Sequence, residues 1–361
     1  MLLNPNLGRR RISTALPCRF EPFIAKPLKT LSALHRHVRS KLYFFMHSKT
    51  SILRILYLLT FLYLLNFPSA AVAQDSTYTR DVLAWRAGYV ADLTKPDGWL
   101  SLAGLEWLQP GDNSFGSAAD NKIHLSAPAP AHLGILRLEG ATVQLLAPKS
   151  GFPKDFEVAG QPAQPQSLRA ESGDDKLSAH LTIGTLNMYV IRRSDQQGDR
   201  FALRIKDSQS EGLKSFHGLA WFQPNEHYRV TATWTPSSPH RSVTLSTLVG
   251  TSYTADVPGT AEFTLNGKTY RVEPVLEDPA VPKLFFVLRD TTSSATTYPA
   301  CRFLYTGLPT NGLEQPGELV LDFNHLENPP CAYTQFATCP LPPLGNRLPI
   351  PLPVGEKRYH D

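Results

Sequence analysis

The chain predicts a mainly β protein: two packed β-sandwich or barrel subdomains, one N-terminal helix and a proline-rich C-terminal wrap. Three observations carry this reading. Beyond residue 93 the apolar residues come in short runs or alternate, the pattern that places every second side chain on one face of a sheet. Turn-forming groups such as Pro110-Gly111-Asp112, Glu139-Gly140 and Gln197-Gly198-Asp199 punctuate those runs. Lastly, Pro329, Pro330, Pro340, Pro342, Pro343, Pro349, Pro351 and Pro353 deny regular helix or central strand to the C-terminal segment.

The first 73 residues are expected to lie outside the folded domain. The chain's formal charge of +5 and pI near 8.9 would suggest nucleic acid or an anionic membrane as partner. The excess is in the wrong place for that. Residues 1–45 hold nine Lys/Arg against one acid, Glu21, and residues 46–73 add Lys49 and Arg54, which leaves −5 for residues 74–361. The folded part carries no basic excess, and no nucleic-acid partner is expected.

From Met46 the residues have the three parts of a secretory signal: Lys49 and Arg54, the apolar run 55–65, then Pro68 and small residues ending Ala71-Val72-Ala73. Cleavage is expected before Gln74. The apolar run falls short of the ~20 residues a spanning helix needs, so no stable membrane anchor remains after cleavage. Residues 1–45 read as translated upstream sequence ahead of a true start at Met46, and the mature protein as exported, periplasmic or secreted.

The mature chain divides into 74–210, a helix plus a β-sandwich, and 211–361, a second β domain. Spacings of three and four among Val82, Leu83, Trp85, Arg86, Tyr89, Val90 and Leu93 predict a helix over 79–93, ended by Pro96 and Gly98. Strands are expected at 99–108, 122–125, 134–138, 142–146, 177–183, 186–192 and 201–205. The polar stretch 207–215 marks the break. A second series follows at 219–222, 228–234, 243–249, 261–265, 269–274, 284–288, 302–305 and 318–323. Asn266-Gly267 reads as a hairpin turn. Beyond 329 the prolines are interleaved with Tyr333, Phe336, Leu341, Leu344, Leu348, Ile350 and Leu352, too apolar for disorder, so an ordered irregular wrap is expected.

Two resemblances follow from particular residues. Gly98-Trp99-Leu100-Ser101-Leu102, Leu105-Glu106-Trp107-Leu108 and Gly111 to Ser117 resemble the opening of the domain-of-unknown-function family 1684. Its central and closing motifs are similar to Asp290-Thr291-Thr292, Thr297-Tyr298, Arg302-Phe303-Leu304, Asp322-Phe323-Asn324, Asn328 to Tyr333, Thr338 to Pro343, Asn346-Arg347-Leu348 and Gly355-Glu356-Lys357. Cys301 departs from the glycine expected before the Arg. That family implies no reaction. Within residues 105–193, Gly111, Phe115-Gly116, Asp120 to Leu125, His132 and Ile135 are ordered much as in forkhead-associated domains, which implies a β-sandwich. Ser117 stands where that fold uses Arg, and no Ser precedes His132 at the usual spacing, so the groups that would hold a phosphate are gone.

No catalytic spacing stands out: there is no Gly-x-Ser-x-Gly and no His-Glu-x-x-His after the signal, and Glu262 breaks a Walker loop at Gly267-Lys268-Thr269. The mature histidines are scattered singly, and no metal or cofactor is expected. Cys331 and Cys339, in one proline-bounded loop, are the expected disulfide of an oxidising compartment, with Cys301 unpaired and buried. The polar residues of the irregular segment have two readings. They satisfy stranded backbone groups, or Asn324, Asn328, Tyr333, Asn346 and Glu356 line a pocket with Asp290, Tyr298 and Arg302 that binds a small polar ligand. A hairpin over 285–305 would bring Asp290, Tyr298 and Arg302 together. The alternative function is a periplasmic hydrolase using Asp290, Asp322 or Glu356 as acid and base with Arg302 as anion partner.

Overall fold

The computed structural model describes residues 76–126, 128–171, 178–195, 198–277 and 283–359. The expected upstream segment, signal and cleavage site lie outside the described residues.

The protein is mainly β, with one long N-terminal helix, and its strands form a 13-stranded and a five-stranded sheet among the described residues. The helix, α1, runs Thr77–Leu93 and begins at Ser76, whose hydroxyl accepts the Thr79 N–H at 3.1 Å and so satisfies one of the orphan donors of the first turn. It buries Val82, Arg86 and Leu93.

The five-stranded sheet runs in the order Ile123–His124, Gly111–Gly116, Gly134–Glu139, Thr142–Leu146, Gln166–Leu168. It shares one core with the antiparallel strands Leu186–Asp195 and Gly198–Asp207 of the larger sheet. Phe115, Leu136 and Leu145 from one side, and Leu181, Met188 and Leu203 from the other, are all buried in it together with Phe156, which precedes the strand Glu157–Val158 of the larger sheet. Two sheets closed on one apolar layer make this half a sandwich. The strand Gly111–Gly116 was hidden in the sequence because its first residue has a φ of 83°, a left-handed conformation that reads as a turn.

The second half is built on the paired strands Arg229–Ser246 and Ser252–Leu265. The sequence read the first of these as two strands, 228–234 and 243–249. Pro236 and Pro239 interrupt its apolar pattern, and the chain absorbs them by a register shift between Pro236 and Arg241 instead of ending. Asn266-Gly267 is the expected two-residue turn, with φ of 54° and 72°, joining Ser252–Leu265 to Lys268–Val272. Residues 219–222, expected as a strand, make only an isolated bridge between Trp221 and Glu356. The pairing Ser194↔Ser252 carries the larger sheet from the first half into the second. The polar stretch 207–215 contains a short helix, Glu211–Lys214, capped by Ser210.

The wrap packs as expected. Leu348, Ile350, Leu352 and Val354 are buried beside Trp234, Phe263, Phe286 and Phe323, while the only regular turns after residue 329 are the 3-10 segments Pro330–Ala332 and Leu344–Asn346 among the described residues. Among those residues no helix is long and apolar enough to cross a membrane.

Candidate functional site

The hairpin predicted between residues 285 and 305 is formed: Leu284–Leu288 pairs antiparallel with Arg302–Thr306, and Leu288 faces Arg302. Asp290 lies two residues beyond that end. The Arg302 guanidinium is 1% exposed and donates to Asp290 Oδ2 at 2.5 Å, to the Val354 carbonyl at 2.6 Å and to the Leu352 carbonyl at 2.9 Å. Asp290 Oδ1 in turn accepts from Thr292 N, Thr292 Oγ1 and Leu352 N. A strand cation and a turn carboxylate thus hold the irregular backbone of the wrap, which has no ladder of its own. Burial lowers the Arg302 pKa and the ion pair with Asp290 opposes that shift.

The other predicted residues divide between backbone and a second cluster. Asn324 is fully buried, bonded to the Asn225 N–H and carbonyl and to Asp322. Asn346 likewise accepts the Glu273 N–H and donates to the Glu273 and Val287 carbonyls. Tyr298 donates to the Cys331 carbonyl at 3.2 Å. Asn328, Tyr333 and Glu356 come together: the Glu356 carboxyl, 0% exposed, accepts Asn328 N at 2.8 Å, Asn328 Nδ2 at 2.7 Å and the Tyr333 hydroxyl at 2.7 Å. Despite those bonds, burial raises its pKa to about 7.

This second cluster leads outward. Tyr333 Oη lies 3.0 Å from Tyr89 Oη on α1, and Tyr89 lines a cavity of about 360 Å³ with Trp85, Asp92, Lys283, Tyr305, His325 and Glu327. None of the eight expected residues lines it. Tyr333 and Glu356 stand behind it, one hydroxyl removed. Trp85 and Tyr89, one turn apart on the helix, stack at 5.6 Å, and His325 lies 4.4 Å from Trp85. Burial lowers the His325 pKa, which favours the neutral imidazole.

Glu327 is the group that sequence reasoning missed. Its backbone bridges to Phe303, so the strand that supplies Arg302 also fixes Glu327. Burial, then the charges of Glu356 and Glu277, raise its pKa to about 8 against the weaker pull of Lys283. At neutral pH it is mainly a protonated acid, able to donate as well as accept. The signal available was slight: one acid between the apolar Leu326 and the motif residue Asn328. Trp85 and Tyr89 were read only as part of a helix pattern.

The bridge expected between Cys331 and Cys339 is not formed in this structure, where Cys301, Cys331 and Cys339 are all thiols. Cys331 N–H donates to Cys339 Sγ at 3.2 Å, so the pair is held in contact by hydrogen bonding. Contact with Cys339 lowers the Cys331 pKa, and burial raises that of Cys339. Cys301 is unpaired and fully buried, as expected.

The fold and this site define an all-β protein whose irregular closing segment is locked by buried polar groups beside an aromatic, carboxyl-bearing cavity. Residues 214–357 match the family described as Protein of unknown function (DUF1684), and that stretch holds the central and closing motifs and Glu327. The opening motif at residues 98–117 lies outside it. An uncharacterized protein of Haloarcula marismortui, known from a solution NMR structure, is similar at 29% identity over 40% of this chain and 78% of that one, with a TM-score of 0.35. No curated protein matches the chain.

Proposed function

We propose that this is an exported protein that binds a small polar ligand in the cavity between α1 and the closing segment, with Glu327 as its polar anchor. The observation that carries the reading is a cavity walled by Trp85, Tyr89 and Tyr305 with the carboxyl group of Glu327 in its lining, where burial raises its pKa to about 8. Aromatic walls with a few convergent polar groups are the usual make-up of small-molecule sites. Burying a carboxyl where it must stay protonated has a cost in stability that a purely structural role would avoid with glutamine. Export is supported by the signal-like run before Gln74. In an oxidising compartment the adjacent Cys331 and Cys339 would close into the bridge.

The Arg302–Asp290 pair belongs to the scaffold in this reading. A second reading, a hydrolase, is favoured by one observation: burial raises the pKa values of both Glu327 and Glu356, and the charge of Glu356 raises that of Glu327 further. Two carboxyl groups pushed towards neutrality are a frequent basis of acid and base catalysis. Glu327 would then supply the acid, and Asp290 and Arg302 would not touch substrate.

The test is a thermal-shift panel of small amines, polyols, amino acids and carboxylates on the full chain. At least one class should raise Tm in a saturable way, and the shift should vanish in Glu327→Gln and in Trp85→Ala. A panel without a hit, or hits that survive both changes, would count against the reading. Turnover of chromogenic ester or phosphomonoester substrates, lost in Glu327→Gln, would decide for the hydrolase.

A further inference from the structure

Away from the cavity, Tyr189, Ile191 and Arg193 alternate with their inward-facing neighbours on the strand Leu186–Asp195, and Arg200, Ala202 and Arg204 do the same opposite them. Tyr189 pairs with Arg204 and Arg193 with Arg200. This face of the sheet is turned from the sandwich core, and it carries cations. Arg200 is ion-paired with Asp195 at 3.6 Å and lies 4.1 Å above the Trp107 ring. Arg193 and Arg204 make no ion pair among the described residues. Arg193 Nη1 donates to the neighbouring Arg192 carbonyl at 2.7 Å, and both arginines reach one further oxygen: Arg193 Nε lies 3.3 Å and Arg204 Nη2 3.5 Å from the Thr338 hydroxyl, which the closing segment brings over this face.

The arrangement is costly as it stands. Arg204 is only 3% exposed, and its Nε is buried with no hydrogen-bond partner. Its guanidinium lies 5.9 Å from the rings of Trp99 and Tyr189, contacts worth less than a desolvated ion pair. Burial and the neighbouring Arg204 charge both lower the Arg193 pKa, while Glu171 acts only from beyond ion-pair distance. One N–H from each of two guanidinium groups meets a single hydroxyl, with no carboxylate within ion-pair distance of either among the described residues, and such a donor set suits an anion: guanidinium groups match the paired oxygens of phosphate, sulfate or carboxylate.

We propose that Arg193, Arg204 and Thr338 form a binding site for a small oxyanion, which joins the N-terminal sheet to the closing segment. The site is independent of the cavity and of the Glu327 reading. An oxyanion would accept from both guanidinium groups and the threonine hydroxyl, and so offset the repulsion between the two arginines. Because Thr338 precedes Cys339, occupancy would hold the loop that carries Cys331 and Tyr333 against the sheet.

The experiment is calorimetric titration of the full chain with sodium phosphate, sodium sulfate and sodium acetate at fixed ionic strength, with melting followed in parallel. One of the anions should bind saturably at a single site and raise Tm. Arg193→Gln should weaken it by about tenfold or more, as loss of a charged hydrogen bond implies. Thr338→Val, which keeps the shape and removes only the hydroxyl, should weaken it by a smaller factor. Arg137→Gln, which breaks an exposed pair with Asp112, should leave it unchanged. If Arg193→Gln fails to fold, Thr338→Val alone decides. No saturable binding of any of the three anions, or binding unaffected by Thr338→Val and Arg193→Gln, would overturn the proposal. Equal loss in Arg137→Gln would do the same, as the mark of diffuse surface charge.

Discussion

At the scale of single residues, the polar groups of the closing segment differ in kind although they look alike in sequence. Asn324 and Asn346 are backbone partners, Arg302 and Asp290 a buried clamp, and Glu327 and Glu356 carboxyl groups held near neutrality. Removing one partner of a buried pair leaves the other charged and alone, so Arg302→Met should cost about 3–5 kcal/mol. Urea denaturation of Arg302→Met, Asp290→Asn and the double variant measures it. The double variant should lose less than the sum of the singles, and strict additivity would mean that the two side chains do not act as a pair. The Arg302–Asp290 contact was legible because a hairpin brings it about and hairpins can be read from apolar runs and turn residues. Glu327 was not legible, because its raised pKa comes from burial and from the charges of Glu356 and Glu277, and the cavity it shares with Trp85 and Tyr305 is built from residues far apart in the chain whose convergence no local pattern records.

At the scale of elements, alternation located most strands within a few residues, and two of the failures share one cause. Where a strand begins on a left-handed glycine, as at Gly111, or runs through Pro236 and Pro239, local propensity argues against an element that tertiary pairing nevertheless imposes. Helix α1 was legible in type and extent. Its function as a cavity wall was not, since Trp85 and Tyr89 fit the period of a core face equally well. Its start depends on Ser76, and Ser76→Ala should lower stability by about 1 kcal/mol in a denaturant midpoint without changing the slope. The loop 331–339 supplies a second element-scale prediction. Oxidation of the full chain should join Cys331 to Cys339, leave Cys301 reduced and stabilise the fold by about 2.6 kcal/mol through loop closure. Peptide mapping without reductant checks the pairing, and two free thiols after oxidation would contradict it.

At the scale of the whole molecule, the two halves differ in what can be inferred about them. The sandwich half rests on an apolar layer that alternation predicts well. The second half adds a wrap whose prolines announce irregularity but leave the internal partners unstated. The Arg302 strand fixes the backbone of Glu327, and Glu356 N–H donates to the neighbouring Leu326 carbonyl, so both carboxyl groups are tied to the second half and pH should act on the entire fold. Glu327 has a folded pKa of about 8 and Glu356 about 7, both above the ordinary 4.5 of glutamate. Native protein thus holds protons that the unfolded chain has released. Their contribution to stability is fully present below about pH 4.5 and is lost as pH rises through about 7 and then about 8. Melting temperature should fall across that window, and Glu327→Gln should flatten its upper part. If protonated Glu327 anchors a ligand in the cavity, binding must follow its titration. For the strongest ligand from the panel, calorimetry between pH 6 and 9 should show affinity falling above about pH 8 in the parent and flat in whatever binding Glu327→Gln retains; an affinity in the parent that is constant across the range would contradict it.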